Sequence, residues 1–337
     1  MAMKILDTTL RDGSYVVDFQ ITAEQTHQIA AALDIAGFPF IEIGHGLGLN
    51  ATTYPEMRGA ASDEEYLEAS SSAIKNAIWG TFFIPGIGRI EDIDLALKYG
   101  MRMLRVGANV NEFERAHSFI RYAKEKGLYV FANFMKTYAM PYDEVGRIAA
   151  EAGKAGADVL CIVDSAGAML PGDVEGYVKA IRHESDKAIG FHGHNNLGLA
   201  NSNSIRAYEM GVEVIDTSLR GFGRSAGNTV TEIFLLTLQR MQADQGYDIY
   251  QLFDIAEKYI DPMLKGYQQV DSFSILSGYS KFHSSFQPKL EKYASKHDVD
   301  LRRLIVALCK ENCISAPDDV LERLARELAA KFEKKTE

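Results

Sequence analysis

An α/β fold, a (β/α)8 TIM barrel with a C-terminal helical extension, is predicted by three features of this sequence. Eight short apolar runs alternate with longer amphipathic segments, glycines punctuate the junctions between them, and the alternation gives way to helical patterns alone near residue 242. With 337 residues and 47% hydrophobic content, the chain is long enough for one barrel of about 250 residues plus an appendage.

The runs predicted as strands are residues 4–8, 40–43, 79–84, 103–106, 129–134, 159–163, 189–192 and 214–216. They are almost entirely apolar, as expected of a parallel sheet covered on both faces, and a parallel crossover needs a connection of helix length. Gly37, Gly100, Gly127, Gly156 and Gly211 each follow a helical pattern and precede a strand, where a left-handed residue ends a helix. Eight such units favour closure over an open, doubly wound sheet. Beyond residue 242, helical stretches at 249–265, 289–297, 301–310 and 317–334 continue without strands. No Pro/Gly/Ser linker marks the change, so the expected organisation is a catalytic barrel over 1–242 and a helical extension over 243–337 packed on it.

Composition narrows the function classes. The net charge is −10, with acidic and basic residues interspersed, which leaves no basic footprint for nucleic acid or an anionic membrane. No stretch reaches the roughly 20 apolar residues of a membrane span, and the N-terminal run is too short for a signal peptide. Cys161, Cys309 and Cys313 form no CxxC motif and read as reduced thiols, so the expected location is the cytoplasm. Cys309 and Cys313 are expected on one helix face. A small, diffusible partner fits this composition, and a homo-oligomer stays open.

In a barrel of this kind the chemistry sits where the strands end. Polar residues gather there: Asp7 through Asp12 after the first strand, Glu42 and His45 after the second, Arg105 on the fourth, Asp164 and Ser165 after the sixth, His192 and His194 after the seventh, Asp216 on the eighth. Any one of them alone is as well explained by a salt bridge at the rim. The histidine pair is sharper, because residues two apart on an extended chain project to one side and can present two imidazoles to one ion. Two nitrogens with a carboxylate make an open, mixed site suited to Mn2+, Co2+ or Zn2+ and less naturally to Mg2+. Asn195, Asn196 or Asn228 could add an oxygen ligand or orient a water. The glycine-rich loop from Gly221 to Asn228 lacks the βαβ context of a dinucleotide site. It reads instead as a close backbone approach to the barrel mouth, with the following helix N-terminus facing an anionic group.

Taken together, Leu10-Arg11-Asp12-Gly13, Ile41-Glu42-Ile43-Gly44-His45-Gly46, Pro85-Gly86-Ile87-Gly88, Asp164-Ser165-Ala166-Gly167, Gly190-Phe191-His192-Gly193-His194-Asn195 and Ala226-Gly227-Asn228 resemble one family of barrel metalloenzymes. That family includes 4-hydroxy-2-oxovalerate aldolase, 3-hydroxy-3-methylglutaryl-CoA lyase and the 2-isopropylmalate and homocitrate synthases. The aldolase branch is the nearest match, through residues 45–49, 85–88 and 277–286, and the resemblance spans essentially the whole chain. It implies a class II lyase that cleaves or forms a 4-hydroxy-2-oxo acid from pyruvate and an aldehyde through a metal-stabilised enolate. It also implies that Asp12, His192 and His194, with Asn228, hold the metal, Mn2+ being the first choice, and that Arg11 steadies the enolate oxygen. The segment 278–286 is similar to the one that supplies a tyrosine to the aldolase site, which points to Tyr279. Ser165, Phe82, Ile84 and His283 are expected to contact substrate, with Phe82 and Ile84 limiting the size of the aldehyde. The resembled aldolases work with an acylating aldehyde dehydrogenase, which makes such a dehydrogenase an expected partner.

One position departs from that pattern. The family carries a histidine soon after Arg-Asp-Gly, and this chain has Ser14 and Tyr15 there. An ordinary tyrosine titrates near about 10, against about 6.5 for histidine, so Tyr15 is a poor base at neutral pH unless its surroundings lower that value. The other candidates for the base are His45, His283 and a metal-bound water. Two alternative functions stay open at this point: an acyl-CoA-dependent condensing enzyme or lyase of the same superfamily, and a non-catalytic scaffold subunit. The loop Gly223-Arg224-Ser225-Ala226 lacks the glutamate of the condensing branch, and the complete metal set argues against a scaffold.

Overall fold

The computed structural model describes residues 3–264 and 272–336. Eight parallel strands close into a barrel in chain order, β1 pairing with β8. They are β1 Lys4–Asp7, β2 Phe40–Ile43, β3 Ile78–Phe83, β4 Met103–Asn109, β5 Tyr129–Met135, β6 Val159–Asp164, β7 Ala188–Gly193 and β8 Val214–Thr217. Each predicted strand is present, with ends moved by up to three residues. The helices between them are α1 Ala23–Ile35, α2 Asp63–Ala73, α3 Ile90–Lys98, α4 His117–Glu125, α5 Tyr142–Lys154, α6 Pro171–Glu184 and α7 Ala200–Glu209, with α8 Thr231–Arg240 after the last strand. The five punctuating glycines all take positive φ.

Register decides what enters the barrel. Because side chains alternate, the pairings Phe40↔Ile78, Gly80↔Met103, Arg105↔Phe131, Asn133↔Cys161, Val163↔His192 and Gly190↔Val214 connect residues of one inward-facing set. The lower part of that set is apolar, with Leu6, Phe40, Met103, Phe131, Val159, Cys161 and Val214 packed together. Two residues further along the same strands the set turns polar, at Glu42, Arg105, Asn133, His192 and Asp216. Phe82 is accommodated by a glycine opposite, since a Cβ on Gly107 would lie 2.2 Å from its ring.

Beyond the barrel, α9 Ile249–Ile255 runs through a π turn (Ala256–Ile260) into α10 Asp261–Leu264. Lys265, the last residue of the helix predicted here, lies outside the described residues. Leu252, Ile255, Ala256 and Ile260 belong to the barrel's own core. The remaining helices, α11 Ser272–Ser280, α12 Gln287–His297, α13 Leu301–Glu311 and α14 Asp318–Thr336, share a second core around Phe282, Leu290, Leu304, Leu308 and Leu321. Helix α11 was not predicted, because its run of serines and glycine lacks an amphipathic period. Cys313 falls past the end of α13, so it does not share a helix face with Cys309, and all three cysteines are free. No helix among the described residues is long and apolar enough to cross a membrane.

Asp7 ties the end of β1 to the loop after β8. Its carboxylate accepts from the Thr9 amide and hydroxyl at 2.9 Å each, and Thr9 Oγ1 in turn accepts from the Leu219 amide. Burial, opposed by those two bonds, pushes the Asp7 carboxyl from 3.8 up to about 7. The raised value means that the folded state holds a proton the unfolded chain releases, so this group's stabilisation is complete below about pH 4 and is lost as the pH rises through 7. Asp7→Asn is therefore expected to gain stability relative to the wild type between about pH 4 and about pH 8. Thermal melts across that range would show a difference that widens with pH, and a pH-independent difference would contradict it.

Candidate active site

Asp12 opens the 3-10 turn Asp12–Val17 that follows β1, His192 lies on β7 and His194 just past its end. All three are buried, and their ligand atoms lie within 4.8 Å of one another. The two imidazoles stand 4.9 Å apart at 85°, as the two-residue strand period anticipated. His192 Nδ1 bonds Asp216 Oδ2 at 2.9 Å and His194 Nδ1 bonds the Gly227 carbonyl at 3.3 Å. With each Nδ1 donating, each Nε2 keeps its lone pair for an ion.

A buried chain of alternating charge stands behind the triad. Arg11 Nη1 bonds Asp12, and its Nε bonds Glu42 Oε2 at 2.8 Å. Glu42 Oε2 also accepts from Arg105 Nη1 at 2.8 Å, and Arg105 Nη2 donates to Asp216 Oδ2 at 2.5 Å, the same oxygen that orients His192. Arg105 and Glu42 are wholly buried. Burial opposes the charge on Asp12, yet Arg11, both histidines and Arg224 hold its carboxyl well below the usual carboxylate range. Burial lowers His194 to about 3 against the attraction of Asp12, which keeps the imidazole neutral as ligation requires.

The donor set fits a divalent cation. Beside it, both amide atoms of Asn228 are buried without a protein partner, and Asn228 forms a backbone bridge with His194. An ion or its water would satisfy that amide. The loop after β8 approaches the triad as expected, its Arg224 amide donating to Asp12 Oδ2 at 3.1 Å and its Gly223 lying so close to Asn228 that a Cβ would be 2.2 Å from Nδ2. The N-terminus of α8, expected to face the same space, does not line it.

A cavity of about 1120 Å³ opens from the triad to the C-terminal helices. Arg11, Tyr15, Phe82, Ile84, Ser165 and His283 line it, so most of the residues assigned from sequence are brought together. Two are not. His45 is 2% exposed, stacks on Phe19 at 4.0 Å, and uses both ring nitrogens, Nε2 with the Met57 carbonyl at 2.8 Å and Nδ1 with the Leu47 amide at 3.1 Å. Burial lowers it to about 4, and it is absent from the cavity wall, so the assignment of His45 as base gives way to a loop-holding role. Tyr279 is 72% exposed on α11 and also does not line the cavity. His283 does line it, but its Nε2 accepts from Arg224 Nη1 at 2.8 Å and its Nδ1 bonds Ser285 Oγ at 2.7 Å, leaving no free lone pair. Sequence reasoning passed over Asn133, which the inward parity of β5 flags, and Lys136, which lies past the strand with the opposite parity and reaches the cavity through a left-handed backbone that no local pattern signals.

Barrel, triad and charge chain together define a metal-dependent (β/α)8 enzyme. The profile of the HMGL-like family matches residues 2–258, and that of the DmpG-like communication domain matches residues 268–330. The chain belongs to the HMGL-like family, as a 4-hydroxy-2-oxovalerate aldolase-like member of it. It is 36% identical to 4-hydroxy-2-oxovalerate aldolase of Carboxydothermus hydrogenoformans over 97% of each chain. To the aldolase of the same name from Moorella thermoacetica it is 37% identical over 98% of each. Among solved structures, the N-terminal domain of a putative aldolase from Bacteroides vulgatus superposes with a TM-score of 0.75 at 25% identity, covering 87% of this chain and 98% of that one. The carboxyl transferase domain of Rhizobium etli pyruvate carboxylase shares the fold, with a TM-score of 0.78 at 16% identity over 98% of this chain and 60% of that one.

His192→Ala and Asp12→Asn are each expected to lower Mn2+ affinity and abolish turnover with the barrel still folded. Asp216→Asn, which weakens the support of His192 and also removes one of the two carboxylates paired with Arg105, should weaken affinity about 10- to 100-fold. Calorimetric metal titration with circular dichroism as the folding control checks both, and wild-type affinity in Asp216→Asn would remove it from the site.

Proposed function

We propose that this chain is a divalent-metal-dependent aldolase that cleaves a 4-hydroxy-2-oxo acid to pyruvate and an aldehyde, or runs the reverse condensation. The observation that carries the reading is the buried Asp12, His192 and His194 set beside Arg11 on the wall of one cavity. The names of the 36–37% identical relatives support it. Asp12, His192 and His194 would hold the ion, with Mn2+ the first choice and Asn228 a further ligand or water contact. Such an ion, when bound, chelates the 2-oxo acid and draws electron density from its carbonyl.

The chain's own residues do the rest. Arg11 keeps a permanent charge, since Glu42 and Asp12 offset its burial, and its Nη2 has no protein partner among the described residues. That donor stabilises negative charge on the enolate oxygen, a contribution of roughly 3 kcal/mol in comparable sites. In cleavage the hydroxyl proton leaves the substrate, the bond between C3 and C4 breaks, and its electron pair becomes the enolate of pyruvate while the aldehyde departs. Protonation at C3 completes the reaction. Of the side chains named from the sequence as the base, His45 and His283 are fully bonded, which leaves Tyr15 on the wall to exchange the hydroxyl proton. Burial pushes Tyr15 up to about 12, so it suits protonation of the alkoxide in the condensation direction better than abstraction at neutral pH. Phe82, over which the Arg11 guanidinium lies at 4.9 Å, and Ile84 bound the space for the aldehyde, and Ser165 adds a polar contact.

We place the protein in the cytoplasm, on its three free cysteines. We also infer that the helical C-terminal part docks an acylating aldehyde dehydrogenase, a reading supported by the match of residues 268–330 to the DmpG-like communication domain.

Pyruvate release from a panel of 4-hydroxy-2-oxo acids by the Mn2+-loaded protein tests the reaction, and silence across the panel in both directions would overturn it. Arg11→Lys is expected to lose about 100-fold in turnover while metal affinity persists, because an ammonium cannot replace the guanidinium fork. Tyr15→Phe should slow condensation by about 100-fold or more with little change in the shape of its pH–rate profile around neutrality, because a phenol near 12 stays protonated there. His45→Ala should lower the melting temperature and leave the shape of that profile intact, and a profile altered only by His45→Ala would restore His45 as the base.

A further inference from the structure

The cavity contains two cations that the aldol chemistry does not use. Lys136 follows β5, is 5% exposed, and holds a left-handed backbone (φ 57°) that its amide fastens to Ser165 Oγ at 2.9 Å. A non-glycine residue in that region is strained and persists where surrounding structure imposes it. Its Nζ donates to the Ile314 carbonyl at 2.9 Å and lies 4.7 Å from the centre of the Phe286 ring. An ammonium has three donors, so most of its hydrogen-bonding capacity is unused. Arg224 donates from Nη1 to neutral His283 and from Nη2 to the Ser165 carbonyl at 3.1 Å, and its buried Nε has no partner.

Neither cation forms an ion pair among the described residues, whereas Arg11 and Arg105, equally enclosed, each contact two carboxylates. Asp18 and Glu291 also line the cavity, and neither pairs with Lys136 or Arg224. Burial first, and repulsion from Arg224 second, lower Lys136 to about 8. Two like charges facing one cavity without a counter-charge are costly unless an anion joins them. The volume, about 1120 Å³, exceeds the roughly 300–1,000 Å³ of pockets for drug-sized ligands and is more than a five-carbon oxo acid fills.

We infer that Lys136 and Arg224 form an anion subsite for the far end of the aldehyde, so that the acceptor carries a carboxylate or a phosphate ester and is not a simple alkanal. This rests on the aldolase reading and adds the substrate class to it. In the condensation assay with pyruvate, succinic semialdehyde is compared with pentanal, and glyceraldehyde 3-phosphate with glyceraldehyde. The wild type is expected to favour the anionic member of at least one pair by about tenfold or more in kcat/KM, and which pair responds distinguishes carboxylate from phosphate. Lys136→Gln, which keeps a donor for Ile314 but removes the charge, should cut that preference about tenfold with the KM for pyruvate little changed, and Lys136→Arg should retain part of it. A preference for the neutral aldehydes, or one unmoved in Lys136→Gln, overturns the subsite, and a rise confined to the pyruvate KM assigns Lys136 to the oxo acid instead. Calorimetric titration of succinate and inorganic phosphate separates the two levels. Anion binding that Lys136→Gln abolishes, without condensation of any aldehyde, upholds the subsite and removes the aldolase reading. Condensation of alkanals with no anion binding does the reverse.

Discussion

The site depends on one buried chain of alternating charge, from Asp12 through Arg11, Glu42, Arg105 and Asp216 to His192. Desolvating so many ionised groups is expensive, and each is tolerable only because its neighbour supplies the opposite charge at hydrogen-bond distance. Removing any one member strands a charge where water cannot reach it. That interdependence holds the metal ligands in place: Asp12 at one end and His192 at the other are oriented by a single rigid structure spanning the barrel interior. The orphaned Asp216 Oδ1 and Glu42 Oε1 show that the chain carries more acceptor capacity than the protein fills.

Above this layer the protein changes character. The barrel alone would leave the triad at an open mouth, but α11–α14, with their own apolar core, place His283, Ser284, Ser285 and Gln287 on the far wall. Among the described residues the contacts across the mouth are both apolar, where Gly278 of α11 packs close against Leu197, and polar. Lys136 reaches the Ile314 carbonyl and Arg224 reaches His283, so the polar residues that connect barrel to cover are also the cations that face the substrate space. Occupancy of the cavity and the fit of the cover therefore act on the same two side chains.

The departure at Tyr15 illustrates how far residue identity carries an argument. A tyrosine where relatives place a histidine reads at first as a lost base, with His45 a natural substitute one loop away. The structure separates the two by packing: Phe19 stacks on His45 and also meets the edge of Tyr15 at 5.0 Å, so one ring stays behind the wall and the other forms it. Gly46 makes room for the Tyr15 ring, since a Cβ there would be 2.5 Å from it. Whether a histidine is a reagent or a brace depends on what occupies its two nitrogens, and those partners, Met57 and Leu47, follow from the path of a loop with no periodic pattern.

By itself the sequence determined the eight-fold alternation, the strands, the left-handed glycines and the histidine pair, because each is expressed by spacing along the chain: a step of two between inward imidazoles, a glycine after five of the helices, an apolar run for each strand. Only the tertiary structure decided the charge chain, since Glu42 meets Arg105 across 63 positions and Arg105 meets Asp216 across 111. Closure of the sheet brings those strands to one interior, and no local period encodes it. The same holds for Tyr279, which shares a segment with His283 yet points to solvent, and for Lys136, whose left-handed backbone turns it toward the cavity. Local physics set the elements, and the way they pack decided which polar side chains share the enclosed space.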